Sequence, residues 1–192
     1  MRSVNNTYPS KWPLWAHPYR CRMVDVTVRP ADTGDVPGIR RVARRGWHAA
    51  YEDVLAPETI EAKLDEWYDP ETVRGYLERE DVGYFVAVDD GRVLGYATGG
   101  PSDKGEDVGF LGAIYVDPDH WGEGIGSRLL DRIESFLAER GYERLRFRVL
   151  AENDVGTSFY RSRGYEAVEE TETELADEVA PELVFEGPIR AP

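Results

Sequence analysis

Between residues 121 and 127 the chain reads Trp-Gly-Glu-Gly-Ile-Gly-Ser, and what flanks these three glycines restricts the fold more than anything else in the sequence. Ahead of them residues 110–116 (Phe-Leu-Gly-Ala-Ile-Tyr-Val) form an apolar, strand-like run. Behind them Ile125, Leu129, Leu130, Ile133, Phe136 and Leu137 recur on one helical face, up to Gly141, a residue suited to the position just past a helix C-terminus. A strand, a glycine turn and a helix N-terminus in succession make an anion site. The first N–H groups of the helix have no partner within it, the helix dipole favours negative charge, and glycine lets a pyrophosphate come close to the main chain. The pattern predicts an α/β fold holding a phosphate-bearing cofactor, although three glycines alone would also serve a tight strand-to-helix turn.

The remaining elements surround this unit. Residues 24–28 alternate as a first strand. Asp35 is placed to cap a helix carrying Pro37, Ile39, Val42, Ala43 and Trp47, and Pro57 opens a second with Ile60, Leu64 and Trp67. A further turn or two is expected over residues 73–77. Apolar runs 84–88 and 93–97 flank Asp89-Asp90-Gly91, a hairpin signal. Residues 99–105 read as a flexible segment. Leu145, Phe147 and Val149 alternate with Arg144, Arg146 and Arg148 as a strand, and that arginine stripe reads as one solvated face. Residues 154–163 read as a short helix closed by Gly164. Two last strands, from Tyr165 and over 182–186, are expected around an acidic linker, with residues 169–178 a solvated loop or strand edge. Residues 1–22, with Pro9, Pro13 and Pro18 and no periodicity, read as a disordered leader ahead of a natural start at Met23, leaving 23–192 as a single domain.

Charge and cysteine content narrow the function classes. Against 37 acidic residues stand 23 basic ones, only three of them lysine (Lys11, Lys63, Lys104), for a formal charge of −14. Acids spread along the whole chain with so little lysine favour a surface of the halophilic type over one that steers a cationic substrate, which is the other reading. Both disfavour nucleic acid as a partner, since no basic stripe with interleaved aromatics exists. No apolar run approaches the ~20 residues of a membrane span, and Cys21, the one cysteine, offers neither a disulfide nor a metal site. A cytoplasmic protein without a metal is expected.

A conjunction of residues goes further. Tyr-Val-Asp-Pro at residues 115–118 precedes the glycine loop, and Asn153, then Phe159-Tyr160, then Arg163-Gly164-Tyr165 follow the helix and strand after it. In this order and spacing the chain resembles the GNAT superfamily of acetyl-CoA-dependent N-acetyltransferases, closely over residues 108–166 and by element order before them. The resemblance implies a mixed, mostly antiparallel twisted sheet of six to seven strands flanked by about four helices. It implies acetyl-CoA as co-substrate and an amine acceptor, a small molecule or a protein N-terminus, attacked directly in a ternary complex. A homodimer is compatible with families of this kind.

The resemblance also implies site residues. Main-chain amides of Trp121, Gly122, Glu123, Gly124, Ile125, Gly126 and Ser127 would hold the pyrophosphate. Ile114 and Val116 would pair with the pantetheine arm through their backbones, Asn153 would bond near it, and Tyr160 would protonate the departing thiolate. Acetyl transfer needs a neutral amine, a polarised carbonyl and a proton for sulfur, and no enzyme nucleophile, so a phenol beside the sulfur fits. Tyr160 as core packing and Asn153 as a helix cap are the bland alternatives. Two loop features depart from the family: Trp121 replaces a usual glutamine or arginine, and Glu123 sets a carboxylate beside the pyrophosphate, leaving affinity to main-chain donors and Arg128, or to salt screening. Phe110 stands where many relatives carry a glutamate base, so the base is open among Glu52, Asp53, Asp107, His120 and ordered water. Trp47, His48, Tyr51, Glu52 and Asp53 are the expected acceptor lining. The missing glutamate keeps a non-catalytic acyl-CoA sensor, or an enzyme using another acyl-CoA, as alternatives.

Overall fold

The computed structural model describes residues 26–190. Strand β1 (Thr27–Pro30) is followed by helices α1 (Val36–Tyr51), α2 (Pro57–Trp67) and α3 (Pro70–Leu77), then β2 (Gly83–Asp89), β3 (Arg92–Pro101), β4 (Val108–Val116), α4 (Ile125–Ala138), β5 (Arg144–Leu150), α5 (Asp154–Ser162), β6 (Glu166–Leu175) and β7 (Glu178–Pro188). The expected leader over residues 1–22 and the start at Met23 lie outside the described residues.

One sheet of seven strands runs in the order β1-β2-β3-β4-β5-β7-β6. Every pairing is antiparallel except β4 with β5, which is parallel and therefore needs the crossover that α4 provides. Helices α4 and α5 cover one face, where Leu129, Leu130, Ile133, Leu137, Phe147, Tyr160 and Phe185 form a core. Helices α1, α2 and α3 cover the β1–β4 half of the other face around Ile39, Val42, Trp47, Ile60, Leu64 and Tyr96.

Four local expectations change. Helix α3, expected as a turn or two over residues 73–77, starts earlier, at Pro70, and brings the helices to five where about four were expected. Asp69 starts it by accepting N–H bonds from Glu71 (2.8 Å) and Thr72 (3.4 Å), with Pro70 in the first turn. Asp35 does not cap α1 with its side chain; its buried carboxylate accepts from the Asp32 amide (2.9 Å) and from Arg29 (2.7 and 2.8 Å). Gly99 and Gly100 belong to β3 and are buried, and a Cβ on Gly99 would lie 2.8 Å from the Phe110 carbonyl oxygen, so closeness explains the glycine there. The acidic linker is strand β6 itself. It pairs with β7 from Glu166↔Glu186 to Leu175↔Glu178 and forms the free edge of the sheet, with Glu166, Glu169, Glu170, Glu172 and Glu174 exposed.

The arginine stripe of β5 is paired with acids. Arg144 bonds Asp107 (3.0 Å) and Glu186 (2.6 Å), and Arg146 bonds Glu186 (2.8 Å) and Glu169 (2.6 Å).

Candidate active site

Strand β4 pairs with β3 along its length but meets β5 only at Val108↔Arg144, Gly109↔Leu145 and Phe110↔Arg146. Immediately beyond, Gly99 pairs with Leu111 and Thr98 with Ala113, so Gly112 is an extra residue on β4. Such a bulge bends the strand that carries it, and the β4–β5 ladder ends at this level. Residues 111–116 leave β5, which continues against β7 as far as Leu150↔Glu182. The gap opens into a cleft of about 610 Å³.

At one end lies the glycine loop. Gly122 and Gly124 are left-handed (φ 79° and 78°), with open space where a Cβ would be, and Gly124 is the N-cap of α4. The first helical bond there runs from the Arg128 amide to the Gly124 carbonyl (3.2 Å), and among the described residues the amides of residues 122–127 donate to no other main-chain group. Trp121, Gly122, Gly124, Ile125, Gly126 and Ser127 line the cleft, with Ile114 and Val116 of β4 beside them. Glu123 does not; its carboxylate is bonded to His120 Nδ1 at 2.9 Å. Arg128 is exposed and also outside the walls. The Trp121 indole donates to the Val116 carbonyl (2.9 Å), tying the loop to the end of β4.

Helix α5 supplies the floor. Asn153 caps it, accepting from the Gly156 amide (2.8 Å), and its Nδ2 donates to the Tyr51 hydroxyl (3.2 Å), so it is a cap and a site residue at once. The Tyr51 hydroxyl lies 3.4 Å from that of Tyr115. Two turns along α5, Tyr160 packs on Phe147 with ring centroids 4.3 Å apart and lines the cleft. Burial pushes the Tyr160 phenol well above its ordinary range, with the nearby Tyr51 adding to the shift. Burial raises Tyr51 too, against hydrogen bonds from Tyr115 and Asn153.

The opposite end is aromatic. Trp47 stacks on Tyr115 (6.3 Å) and meets Tyr51 (5.0 Å) and the half-exposed Trp67 (5.5 Å) edge-on. Trp47 and Tyr51 are four residues apart on α1 and share a face. His48 and Glu52, one residue on from each, turn away: His48 Nε2 bonds Glu61 at 2.9 Å, and Glu52 and Asp53 are exposed outside the cleft. Asp107 is occupied by Arg144. Of the four residues considered as base, only His120 touches the cleft.

One residue escaped the sequence reading. Glu182 of β7 lines the aromatic end with its side chain 12 % exposed, and it accepts from Arg148 Nη1 at 3.4 Å. Burial raises its carboxyl above the ordinary range, and Arg148 partly offsets this. The signal was present: Glu182 lies between Ala180 and Val184 in the inward phase of an alternating strand, where a carboxylate is out of place.

Splayed strand, free amides and apolar channel together fit a long thioester bearing a pyrophosphate. A family model for the acetyltransferase (GNAT) family matches residues 47–165. The spermidine N(1)-acetyltransferase of Thermoplasma acidophilum is 27 % identical over 78 % of this chain and 92 % of its own length. YuaI of Bacillus subtilis, an uncharacterised N-acetyltransferase, is 29 % identical over 79 % of this chain and 86 % of its own. The crystal structure of the PaiA N-acetyltransferase of Thermoplasma acidophilum in complex with coenzyme A shares the fold with a TM-score of 0.74 at 23 % identity, over 85 % of this chain and 99 % of that one. The chain belongs to the GNAT family of acetyltransferases. It is an N-acetyltransferase, and acetyl-CoA is its co-substrate.

Proposed function

We propose that this enzyme acetylates a primary amine of a small aliphatic polyamine, with Tyr160 as the proton donor to the thiolate. The observation that carries the reading is the split between β4 and β5, which joins a ring of free amides, a buried phenol and an aromatic box in one continuous cleft. Bound there, acetyl-CoA supplies the thioester from which the amine takes its acetyl group. The amides of residues 122–127 hold the pyrophosphate with main-chain donors at a helix N-terminus. His120 draws the Glu123 carboxylate aside, which removes the repulsion that residue would otherwise exert. Backbone groups of Ile114 and Val116, freed from β5 by the bulge, pair with the extended pantetheine arm.

Tyr160 remains a phenol because burial disfavours its anion, so at neutral pH it has a proton to give. Asn153 fixes the start of α5, and with it the height of Tyr160, while holding the Tyr51 hydroxyl at the boundary between the two ends. Trp47, Trp67, Tyr51 and Tyr115 form an aromatic lining of the kind that attracts an alkylammonium. The acetylation of spermidine named for the Thermoplasma relative agrees with that lining. A thiol-release assay over spermidine, spermine, single amino acids and short peptides tests the reading. Release with the polyamines is expected; release with peptides alone, or with none of the amines, overturns it.

A further inference from the structure

Two of the glutamates on this face of β7, Glu186 and Glu182, are served differently. Glu186, at the open end, takes two arginines at 2.6 and 2.8 Å. Glu182, deeper and inside the cleft, has a single contact of 3.4 Å to an arginine whose side chain is 52 % exposed. Leaving a buried carboxylate so poorly paired costs stability, and a titratable group of this kind in a cleft marks a functional position. The groups facing it are Arg148 and Leu150 from β5, Thr171 and Thr173 from β6, and Tyr51 from α1, which feels its charge. Arg148 is therefore the one cation beside it among the described residues.

We propose that Glu182 is the acceptor-side carboxylate of the transfer: it binds the ammonium of the polyamine, takes one of its protons, and exchanges Arg148 for the substrate cation as its counter-ion. This rests on the reading given above as the proposed function. The balance is closed. The ammonium gives one proton to the Glu182 carboxylate, and the free amine nitrogen forms a bond to the acetyl carbon as the carbon–sulfur bond breaks. Tyr160 gives its hydroxyl proton to sulfur and recovers one from the second nitrogen proton through solvent. The products are an N-substituted acetamide, a thiol, and a protonated Glu182 that returns its proton to water. Phe110 is then no gap in the machinery, because the carboxylate comes from β7, across the split, and not from β4.

The test uses the full chain, spermidine and acetyl-CoA. Glu182→Gln is expected to lower kcat/KM for spermidine by about 100-fold or more, as for other acid–base groups, with the titrated acetyl-CoA affinity unchanged. The acidic limb of its pH–rate profile should also vanish. Arg148→Gln should move that limb to higher pH, because the guanidinium holds the Glu182 carboxyl down, and should lower the KM for spermidine. A structural role alone would move neither. If Glu182→Gln does not fold by circular dichroism, Glu182→Asp and the Arg148→Gln shift carry the test. Glu182→Gln within threefold of wild type with its acidic limb intact, or an unmoved limb in Arg148→Gln, overturns the proposal. Wild type that binds acetyl-CoA but releases no thiol with any polyamine removes the parent reading, and this one with it.

Discussion

The two ends of the cleft are built on different principles. The end we assign to the acetyl donor uses main chain: amides at the start of α4, a strand freed by one bulge, and glycines at φ 79° and 78°. All of it comes from residues close together in sequence. The end we assign to the acceptor uses side chains from α1, α2, β4 and β7, brought together only by the sheet. A main-chain site binds a feature shared by every thioester of its cofactor and tolerates change around it. A side-chain site reads one acceptor and is rewritten by a few substitutions.

Substitutions at each end should separate the two. The largest effect is expected for Tyr160→Phe, a loss of about one to three orders of magnitude in kcat with acetyl-CoA affinity retained, in the range of acid–base groups. Retained kcat would remove Tyr160 from the chemistry. Because burial raises its phenol above the ordinary value of about 10, no basic limb in the kcat profile should arise from this residue below about pH 10. Gly124→Val comes next: a branched residue in the left-handed region costs about 1–2 kcal/mol. Relieving that strain turns the loop amides away, so acetyl-CoA binding by calorimetry should weaken about tenfold at equal KM for the amine.

Trp67→Ala, at the other end, should raise the KM for a polyamine about three- to fivefold, the worth of an exposed cation–π contact, and leave acetyl-CoA titrations unchanged. An equal loss at both ends would mean that the ends are not separable. Smallest of all is His48→Ala. Its partner is Glu61 of α2, outside the cleft, and turnover should stay within about twofold of wild type, with stability changed by less than about 1 kcal/mol, as for exposed pairs.

The same contrast explains what could be read from the sequence. The donor end was legible because its signal is local: a glycine loop between a strand and a helix, then an asparagine and a tyrosine at fixed distance. All of the loop's expected residues except Glu123 line the cleft, as do Ile114, Val116, Asn153 and Tyr160. The acceptor end was half legible. Trp47 and Tyr51 line it, but His48, Glu52 and Asp53 were chosen by closeness in sequence, and helical rotation sends them elsewhere. Glu182 lies far along the chain from α1, and only sheet pairing puts it opposite that helix. The glutamates of residues 169–178 left loop and strand edge both open, because strands are usually poor in such residues; the edge strand β6 accepts them.

The split in which we place the cofactor also has a mechanical meaning. Edge to edge, β1–β4 and β5–β7 are stitched by three register pairs at one end, so a scissoring twist between them breaks few main-chain bonds. The molecule has a gap there where most sheets have a ladder. Amide exchange at residues 111–116 and 147–150 should report its opening, and slow once acetyl-CoA spans the two blades.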